Sequence, residues 1–105
     1  MTRKYVLKRT VEDRFWARVQ KTASCWLWVG AKNSEGYGHF RTNHVYWKAH
    51  RWSYTQVKGA IPVNLVLDHL CRIRHCVNPN HLEVVTTWEN FHRGERLPDL
   101  YWKAF

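Results

Sequence analysis

The sequence predicts one small α+β domain held together by a metal, and three observations support this. The chain has 105 residues, which suits a single domain over 1–105 with a modest hydrophobic core. Short apolar runs bounded by polar turns alternate with segments of helical pattern, as expected of an α+β fold. The three cysteines are an odd number, which argues against a closed set of internal disulfides. We therefore expect a metal site to substitute for part of the core.

The first elements are predicted to be a helix and a β-hairpin with a long loop. Thr10 precedes the acidic pair Glu12-Asp13, and an N-cap followed by an acidic first turn predicts a helix over about 11–20. The apolar, aromatic run 25–29 and the alternating run 37–41 are separated by a polar turn. Together these two runs predict paired strands.

A third strand and a second helix are predicted next. A turn leads into the apolar run 45–47, which is typical of a strand. Residues 49–58 contain no helix breaker before Gly59, so this segment suits a helix with a glycine C-cap. Pro62 then forces an extended exit at Ile61.

Residues 65–94 are predicted to form the core unit of the domain, in the order strand, loop, strand, helix. The apolar runs 65–67 and 82–85 predict the two strands. Thr86, followed three positions later by Glu89, has the capping-box pattern, which predicts a helix from about 88 to 93. Such a unit brings the end of its first strand close to the first turns of its helix.

The charge of the chain indicates a polyanionic partner. Seventeen Lys and Arg against eight Asp and Glu give a net charge of +9, and the basic residues run from Arg3 to Lys103. This balance is expected of a domain that faces nucleic acid. No hydrophobic N-terminal stretch suggests secretion or a membrane span, so we expect an intracellular protein.

The seven tryptophans have two interpretations, core filling and base stacking. Trp102 lies in the C-terminal tail, 95–105, whose apolar cluster must dock onto its own domain or a second copy. This tail is the candidate dimer contact. The tryptophans that lie in apolar or amphipathic runs are expected in the core: Trp26, Trp28, Trp47 and Trp52.

One run of the sequence combines metal-type and catalytic-type side chains. Two cysteines and a histidine at metal-ligand spacing stand beside a histidine and an asparagine that a nuclease could use. The run resembles HNH-type endonucleases of the ββα-metal group, and its zinc loop closely resembles that of the His-Cys box homing endonucleases. The matching residues are His69, Cys71, Cys76, Asn78, Pro79, His81, Leu82 and Asn90.

The upstream half resembles small phage HNH proteins, so that the likeness extends over roughly residues 13–94. The motifs that carry it are Ser24-Cys25-Trp26-Leu27-Trp28, Gly36-Tyr37-Gly38, Ala49-His50-Arg51 and Ile61-Pro62. The resemblance implies a small ββα-metal nuclease domain with an added helix and antiparallel sheet. It also implies hydrolysis of phosphodiester bonds in double-stranded DNA to 5′-phosphate and 3′-hydroxyl ends, by a phage-encoded or homing enzyme in the host cytoplasm.

The zinc loop predicts a structural site with four ligands. Thiolate sulfur and imidazole nitrogen favour tetrahedral Zn²⁺, and Cys71, Cys76 and His81 supply three ligands. Cys25 is expected to be the fourth, because it is the only cysteine left and because the resemblance suggests a distant upstream cysteine. Three alternatives remain: a Cys71–Cys76 disulfide, three free buried thiols, or replacement of one ligand by His75.

The catalytic assignment follows from what phosphodiester hydrolysis requires, a base for water and a cation for the phosphate. We expect His69 to be the general base, with its ring held by a backbone carbonyl of the zinc loop. In HNH enzymes the middle residue of the motif helps fix that ring, and here this position is His81, which the zinc loop recruits. The resemblance implies one Mg²⁺ at Asn90.

Asp68 is expected to share that Mg²⁺, because a carboxylate beside the base is typical of HNH relatives. Oxygen ligands suit Mg²⁺ or Mn²⁺ and leave room for water and phosphate oxygens. The alternatives are an Asp68 carboxylate paired with a nearby arginine, a His69 that is merely packed in its strand, and an Asn90 on a solvated helix face.

DNA contacts are expected from arginines, because a guanidinium binds phosphate bidentately. A homodimer is expected because one ββα site cuts one strand. Two non-catalytic classes remain open, a zinc-stapled DNA-binding module and a phage assembly or packaging accessory. The candidate DNA-binding residues are Arg41, Arg51, Arg72, Arg74 and Arg93.

Overall fold

The computed structural model describes residues 9–93 as an α+β fold. Within that range three helices accompany three antiparallel two-stranded sheets. This confirms the predicted fold class. The elements are α1 (Val11–Trp16), β1 (Val19–Lys21), β2 (Trp26–Trp28), β3 (His39–Thr42), β4 (Val45–Lys48), α2 (Ala49–Lys58), β5 (Leu65–His69), a short 3-10 helix (Pro79–His81), β6 (Leu82–Thr86) and α3 (Thr87–Arg93).

Helix α1 begins as predicted but is shorter than the predicted 11–20. The Thr10 side chain accepts a hydrogen bond from the Asp13 amide, which satisfies one of the free N–H groups of the first turn. The helix ends at Trp16 because the following residues form β1, whose Val19 lies opposite Trp28 of β2. Strand pairing therefore replaces the last predicted turn of helix.

The predicted pairing of 25–29 with 37–41 is wrong. Strand β2 pairs with β1 on one side, across a turn in which the Thr22 amide donates to the Cys25 carbonyl. Its other side pairs with the loop that connects β5 to the 3-10 helix, through a bridge between Leu27 and Cys76. Because both edges of β2 are occupied, the run 37–41 pairs instead with the next strand.

Strands β3 and β4 form a tight hairpin, and α2 follows directly. The two turn residues, Asn43 and His44, have φ of 52° and 64°, which suits a two-residue loop between twisted strands. The predicted third strand is thus confirmed as β4, with Phe40 opposite Trp47. Helix α2 ends at Lys58, and Gly59 adopts φ 102° as its C-cap.

The last part of the described chain runs β5, loop, β6, α3, as predicted. Strands β5 and β6 are antiparallel, with His69 opposite Leu82. The capping box is present, since the Thr86 amide donates to Glu89 and the Glu89 amide donates to the Thr86 hydroxyl. Helix α3 packs against β5 and β6. This packing holds α3 beside the strand that ends at His69.

An aromatic cluster forms the core and ties the first half of the chain to α2. Phe15 is fully buried and its ring lies 4.4 Å from Trp52 and 4.8 Å from Trp28, between ring centroids. Gly38 is required here because a Cβ atom would collide with the Trp28 ring. Trp26 and Trp47 pack partly buried against this core. The prediction that these four tryptophans fill the core is confirmed.

Two further predictions concern the ends of the chain and the membrane. The tail 95–105, including Trp102, lies outside the described residues. Among residues 9–93 no helix is long and apolar enough to cross a membrane.

Candidate metal centre and active site

Four side chains from distant parts of the chain converge in one cluster, which could hold a metal ion such as zinc. The ligand atoms of Cys25, Cys71, Cys76 and His81 all lie within 4.8 Å of one another. His81 Nδ1 is 3.6 Å from the Sγ atoms of both Cys25 and Cys76. Sulfur and nitrogen ligands of tetrahedral zinc are about 3.5 Å apart when Zn–S is about 2.3 Å and Zn–N about 2.0 Å. The cluster therefore fits zinc.

Backbone pairing brings Cys25 to the loop that carries the other ligands. The Trp28 amide donates to the His75 carbonyl at 2.8 Å, and the Val77 amide donates to the Trp26 carbonyl at 2.7 Å. The Asn78 side-chain amide also donates to the Ser24 carbonyl at 2.8 Å. These bonds fix β2 against the loop on both sides of Cys76, so backbone hydrogen bonds hold Cys25 beside the other three residues of the cluster.

The thiols of the cluster are held in the protonated form when no metal is bound. Burial raises the pKa of Cys25, Cys71 and Cys76 above their ordinary value. All three are free thiols, so the Cys71–Cys76 disulfide is absent from this structure. Metal binding would need the thiolates and would release their protons.

The same loop orients His69. This histidine ends β5 and is buried, and its Nε2–H donates to the Cys76 carbonyl at 3.1 Å. A carbonyl can only accept, so the proton is on Nε2 and Nδ1 keeps a free lone pair. Burial lowers the pKa of His69 to about 4, against the opposing effects of the Cys76 hydrogen bond and the Asp68 charge. The ring is therefore neutral at physiological pH.

Asp68 is buried beside His69 and is engaged by two arginines. Arg72 Nη1 lies 2.8 Å from one carboxylate oxygen, and Arg93 Nη1 lies 3.2 Å from the other. Arg93 also contacts Glu83 at 2.6 Å. The two guanidinium groups compensate a carboxylate that would otherwise be costly to bury. A cation at Asp68 would compete with these two guanidinium groups for the carboxylate oxygens.

Asn90 lies on α3, which packs against β5, the strand that ends with Asp68 and His69. Its side chain is half-buried. Arg93 of the same helix contacts Asp68 at 3.2 Å, so the helix that carries Asn90 lies beside the end of β5.

The predicted DNA-binding arginines divide into two groups. Arg41 is exposed on β3 and Arg51 is half-buried on α2. Arg72 and Arg93 bind Asp68, and Arg74 donates to the Glu35 carbonyl at 2.9 Å. The last three therefore have structural contacts in addition to any role on DNA.

Sequence reasoning missed His50 as a member of the site. It is buried in the first turn of α2, and its ring centroid lies 4.5 Å from that of His69. The only signal in the sequence was the Ala49-His50-Arg51 motif, which resembles small phage HNH proteins but does not indicate the contact.

Comparisons with known proteins identify relatives of this chain. A model of the HNH endonuclease family matches residues 48–92, the segment from the end of β4 to α3. Protein 2.8 of Escherichia phage T7 is 31% identical over 85% of this chain and 69% of its own length. The chain belongs to the HNH endonuclease family. In this HNH chain, the matched segment contains His69, Asn90 and three of the four cluster residues.

Other relatives of this HNH endonuclease chain also come from phages. Protein 7.7 of Escherichia phage T7 is 35% identical over 66 residues, which are 63% of this chain and 51% of that protein. An uncharacterized gene 5.3 protein of Enterobacteria phage T3 is 32% identical over 60 residues, 51% of this chain and 59% of that protein. The chain thus spans little more than half the length of these two relatives. No solved structure matches it.

Proposed function

We propose that the chain is a metal-dependent endonuclease that cleaves phosphodiester bonds in double-stranded DNA. The observation that carries this proposal is the state of His69, a buried neutral imidazole whose Nε2 is fixed by the Cys76 carbonyl and whose Nδ1 is left as an acceptor. A neutral imidazole with one nitrogen held as the donor can accept a proton at the other, as a general base must. Membership of the HNH endonuclease family and the net charge of +9 support DNA as the substrate.

In the proposed reaction His69 Nδ1 takes a proton from a water molecule. The water oxygen forms a bond to phosphorus, the bond from phosphorus to the 3′ oxygen breaks, and the 3′ oxygen takes a proton from solvent water. The products are a 5′-phosphate and a 3′-hydroxyl. Because the Cys76 carbonyl fixes Nε2, the accepting nitrogen is held in one position while the substrate binds.

Asp68 and Asn90 are the proposed ligands of a single Mg²⁺, for which Mn²⁺ would substitute. Carboxylate and amide oxygens are the donors that such ions prefer. When bound, the ion would supply positive charge against the charge that develops on the phosphate and the leaving oxygen. Arg72 and Arg93 now hold Asp68, and we propose that they move to the DNA phosphates when the cation binds.

The zinc cluster is proposed to be structural. It uses four protein ligands, which leaves no open position for substrate. It links β2, the loop and the start of β6 through Cys25, Cys76 and His81, so it stabilises the carbonyl that orients His69. A homodimer and a single domain over 1–105 remain proposals of the same account. Action in the host cytoplasm is a further proposal, which the phage relatives support.

One observation favours a second candidate, a zinc-stapled DNA-binding module without catalysis. Both oxygens of Asp68 are bound by arginine, as in the alternative in which this carboxylate only forms ion pairs. Such a module would bind DNA with the same basic side chains but would not cleave it.

Incubation of the zinc-loaded protein with supercoiled plasmid and Mg²⁺ distinguishes the two. We expect nicked or linear DNA from the wild type and little from His69→Ala or Asn90→Ala. DNA binding without cleavage by the wild type, with zinc bound, would refute the endonuclease and support the binding module.

A further inference from the structure

His50 occupies a position between two other rings at the end of the proposed active site. Only 5% of its surface is exposed. Its ring stacks on Tyr37, with centroids 5.5 Å apart and planes at 29°, and lies against His69, with centroids 4.5 Å apart and planes at 49°. Tyr37 also contacts His69, at 5.8 Å between centroids. We call Tyr37, His50 and His69 the ring cluster.

The His50 side chain contacts Tyr37 and His69 through its ring. Its Nδ1 atom is buried and has no hydrogen-bond partner among residues 9–93. Burial lowers the pKa of His50 well below the ordinary value, so it remains neutral and adds no positive charge beside His69. A buried unpaired nitrogen is unfavourable for stability, so replacing it with carbon should stabilise the fold.

The hydrogen bond from His69 to the Cys76 carbonyl leaves one rotation of the His69 ring unrestrained. A single bond at Nε2 fixes one edge, but the ring can still swing about that contact, and Nδ1 would swing with it. The His50 ring, in tilted contact with the His69 ring at 4.5 Å between centroids, restricts this motion. His50 is in turn backed by Tyr37, so the ring that restrains His69 is itself held in place.

We infer that His50 is a positioning residue, whose flat ring fixes the orientation of the His69 imidazole for proton transfer. This rests on the proposed role of His69 as general base. Displacement of a catalytic group by about 1 Å can reduce a rate by about 100-fold, so a loosened His69 ring should slow the chemical step while DNA binding is unchanged.

The test compares His50→Phe, which keeps a flat ring and removes the unpaired nitrogen, with His50→Ala, which removes the ring. His50→Leu fills the volume without a flat ring and serves where the alanine variant does not fold. Phe15→Leu, in the aromatic core away from the ring cluster, controls for loss of stability. Each is assayed zinc-loaded, below its melting temperature, for DNA affinity and for single-turnover cleavage at saturating DNA.

We expect His50→Ala, or His50→Leu, to cleave at least about 10-fold more slowly with DNA affinity within about twofold of wild type. His50→Phe should cleave within about threefold of wild type and melt at a higher temperature. Equal loss in the phenylalanine and alanine variants would overturn the inference, because the nitrogen and not the ring would then matter. Wild-type rates in His50→Ala would overturn it as well.

A second measurement does not depend on cleavage. In ¹⁵N NMR spectra of histidine-labelled protein, wild type and His50→Phe should show His69 as a single Nε2–H tautomer. His50→Ala should show averaged or broadened His69 nitrogen signals, and an unchanged His69 signal in that variant would refute the positioning role. If wild-type protein does not cleave DNA, the proposed function fails while this spectrum still tests the contact.

Discussion

Replacing Cys25 with serine is expected to abolish tight zinc binding and most of the zinc-dependent stability of the domain. Cys25 lies far from the other three ligands in the sequence, and its Sγ is 3.6 Å from His81 Nδ1. It is the ligand that joins β2 to the loop. A serine hydroxyl is a poor zinc ligand at neutral pH, so the variant should retain only three ligands from the loop and its end.

The size of the effect follows from mass action and from the preformed cluster. Because the ligand atoms already lie within 4.8 Å of one another, little of the binding energy is spent on rearrangement. Free zinc at about 10⁴ times its Kd stabilises the folded state by about 5.5 kcal/mol. For a domain near this size about 1 kcal/mol corresponds to a change in Tm of about 4–8 °C, so we expect a decrease of about 20 °C or more.

The assay measures bound zinc by mass spectrometry and Tm by circular dichroism, with and without EDTA. His75→Ala is the matched control, since His75 lies in the same loop next to Cys76 but is not part of the cluster. We expect about one zinc per chain in wild type and His75→Ala, and much less than one in Cys25→Ser. One tightly held zinc and an EDTA-sensitive Tm equal to wild type in Cys25→Ser would refute the four-ligand site.

Three further outcomes are expected. Burial raises the pKa of the three cluster thiols, so zinc binding at pH 7 should release about three protons. Calorimetry in buffers of different ionisation enthalpy measures this, and release of fewer than about two protons would contradict a three-thiolate site. Arg93→Ala should tighten Mg²⁺ binding by about fivefold, because a partly buried ion pair contributes about 1 kcal/mol, and it should weaken DNA binding. Arg93→Lys is the control. Unchanged Mg²⁺ affinity of Arg93→Ala by calorimetry would contradict the proposed sharing of Asp68. Burial lowers the pKa of His50 below its ordinary value of 6.5, so below that pH the unfolded chain binds more protons than the folded one, and stability falls as the pH decreases. His50→Phe should reduce the slope of unfolding free energy against pH by up to about 1.4 kcal/mol per pH unit. Identical urea denaturation of the wild type and the variant at pH 7 and at pH 5 would exclude the effect.

The sequence predicted the elements whose signals are local. The N-cap at Thr10, the glycine C-cap at Gly59 and the capping box at Thr86 each depend on residues within one turn of a helix. The clustering of the zinc ligands was also predictable, because one remaining cysteine left few choices for the fourth position. The structure brings these four side chains together.

The errors concern contacts between distant segments. The pairing of β2 depends on the bridge between Leu27 and Cys76, and no pattern within 25–41 indicates that a strand edge is already occupied. The contact of His50 with His69, and that of Arg93 with Asp68, arise only when α2 packs on the 3-10 helix and α3 packs on β5. Such contacts follow from tertiary packing and have no periodic signal in the sequence.

Chemical rescue tests the central claim, that His69 is the base of a DNA endonuclease, most directly. His69→Gly removes the imidazole and leaves space for a free one, whereas Asn90→Ala removes a proposed cation ligand that imidazole cannot replace. With zinc and Mg²⁺ bound, we expect added imidazole to restore plasmid cleavage to His69→Gly in a concentration-dependent manner and to leave Asn90→Ala inactive. Cleavage by His69→Gly at the wild-type rate without imidazole would contradict the claim.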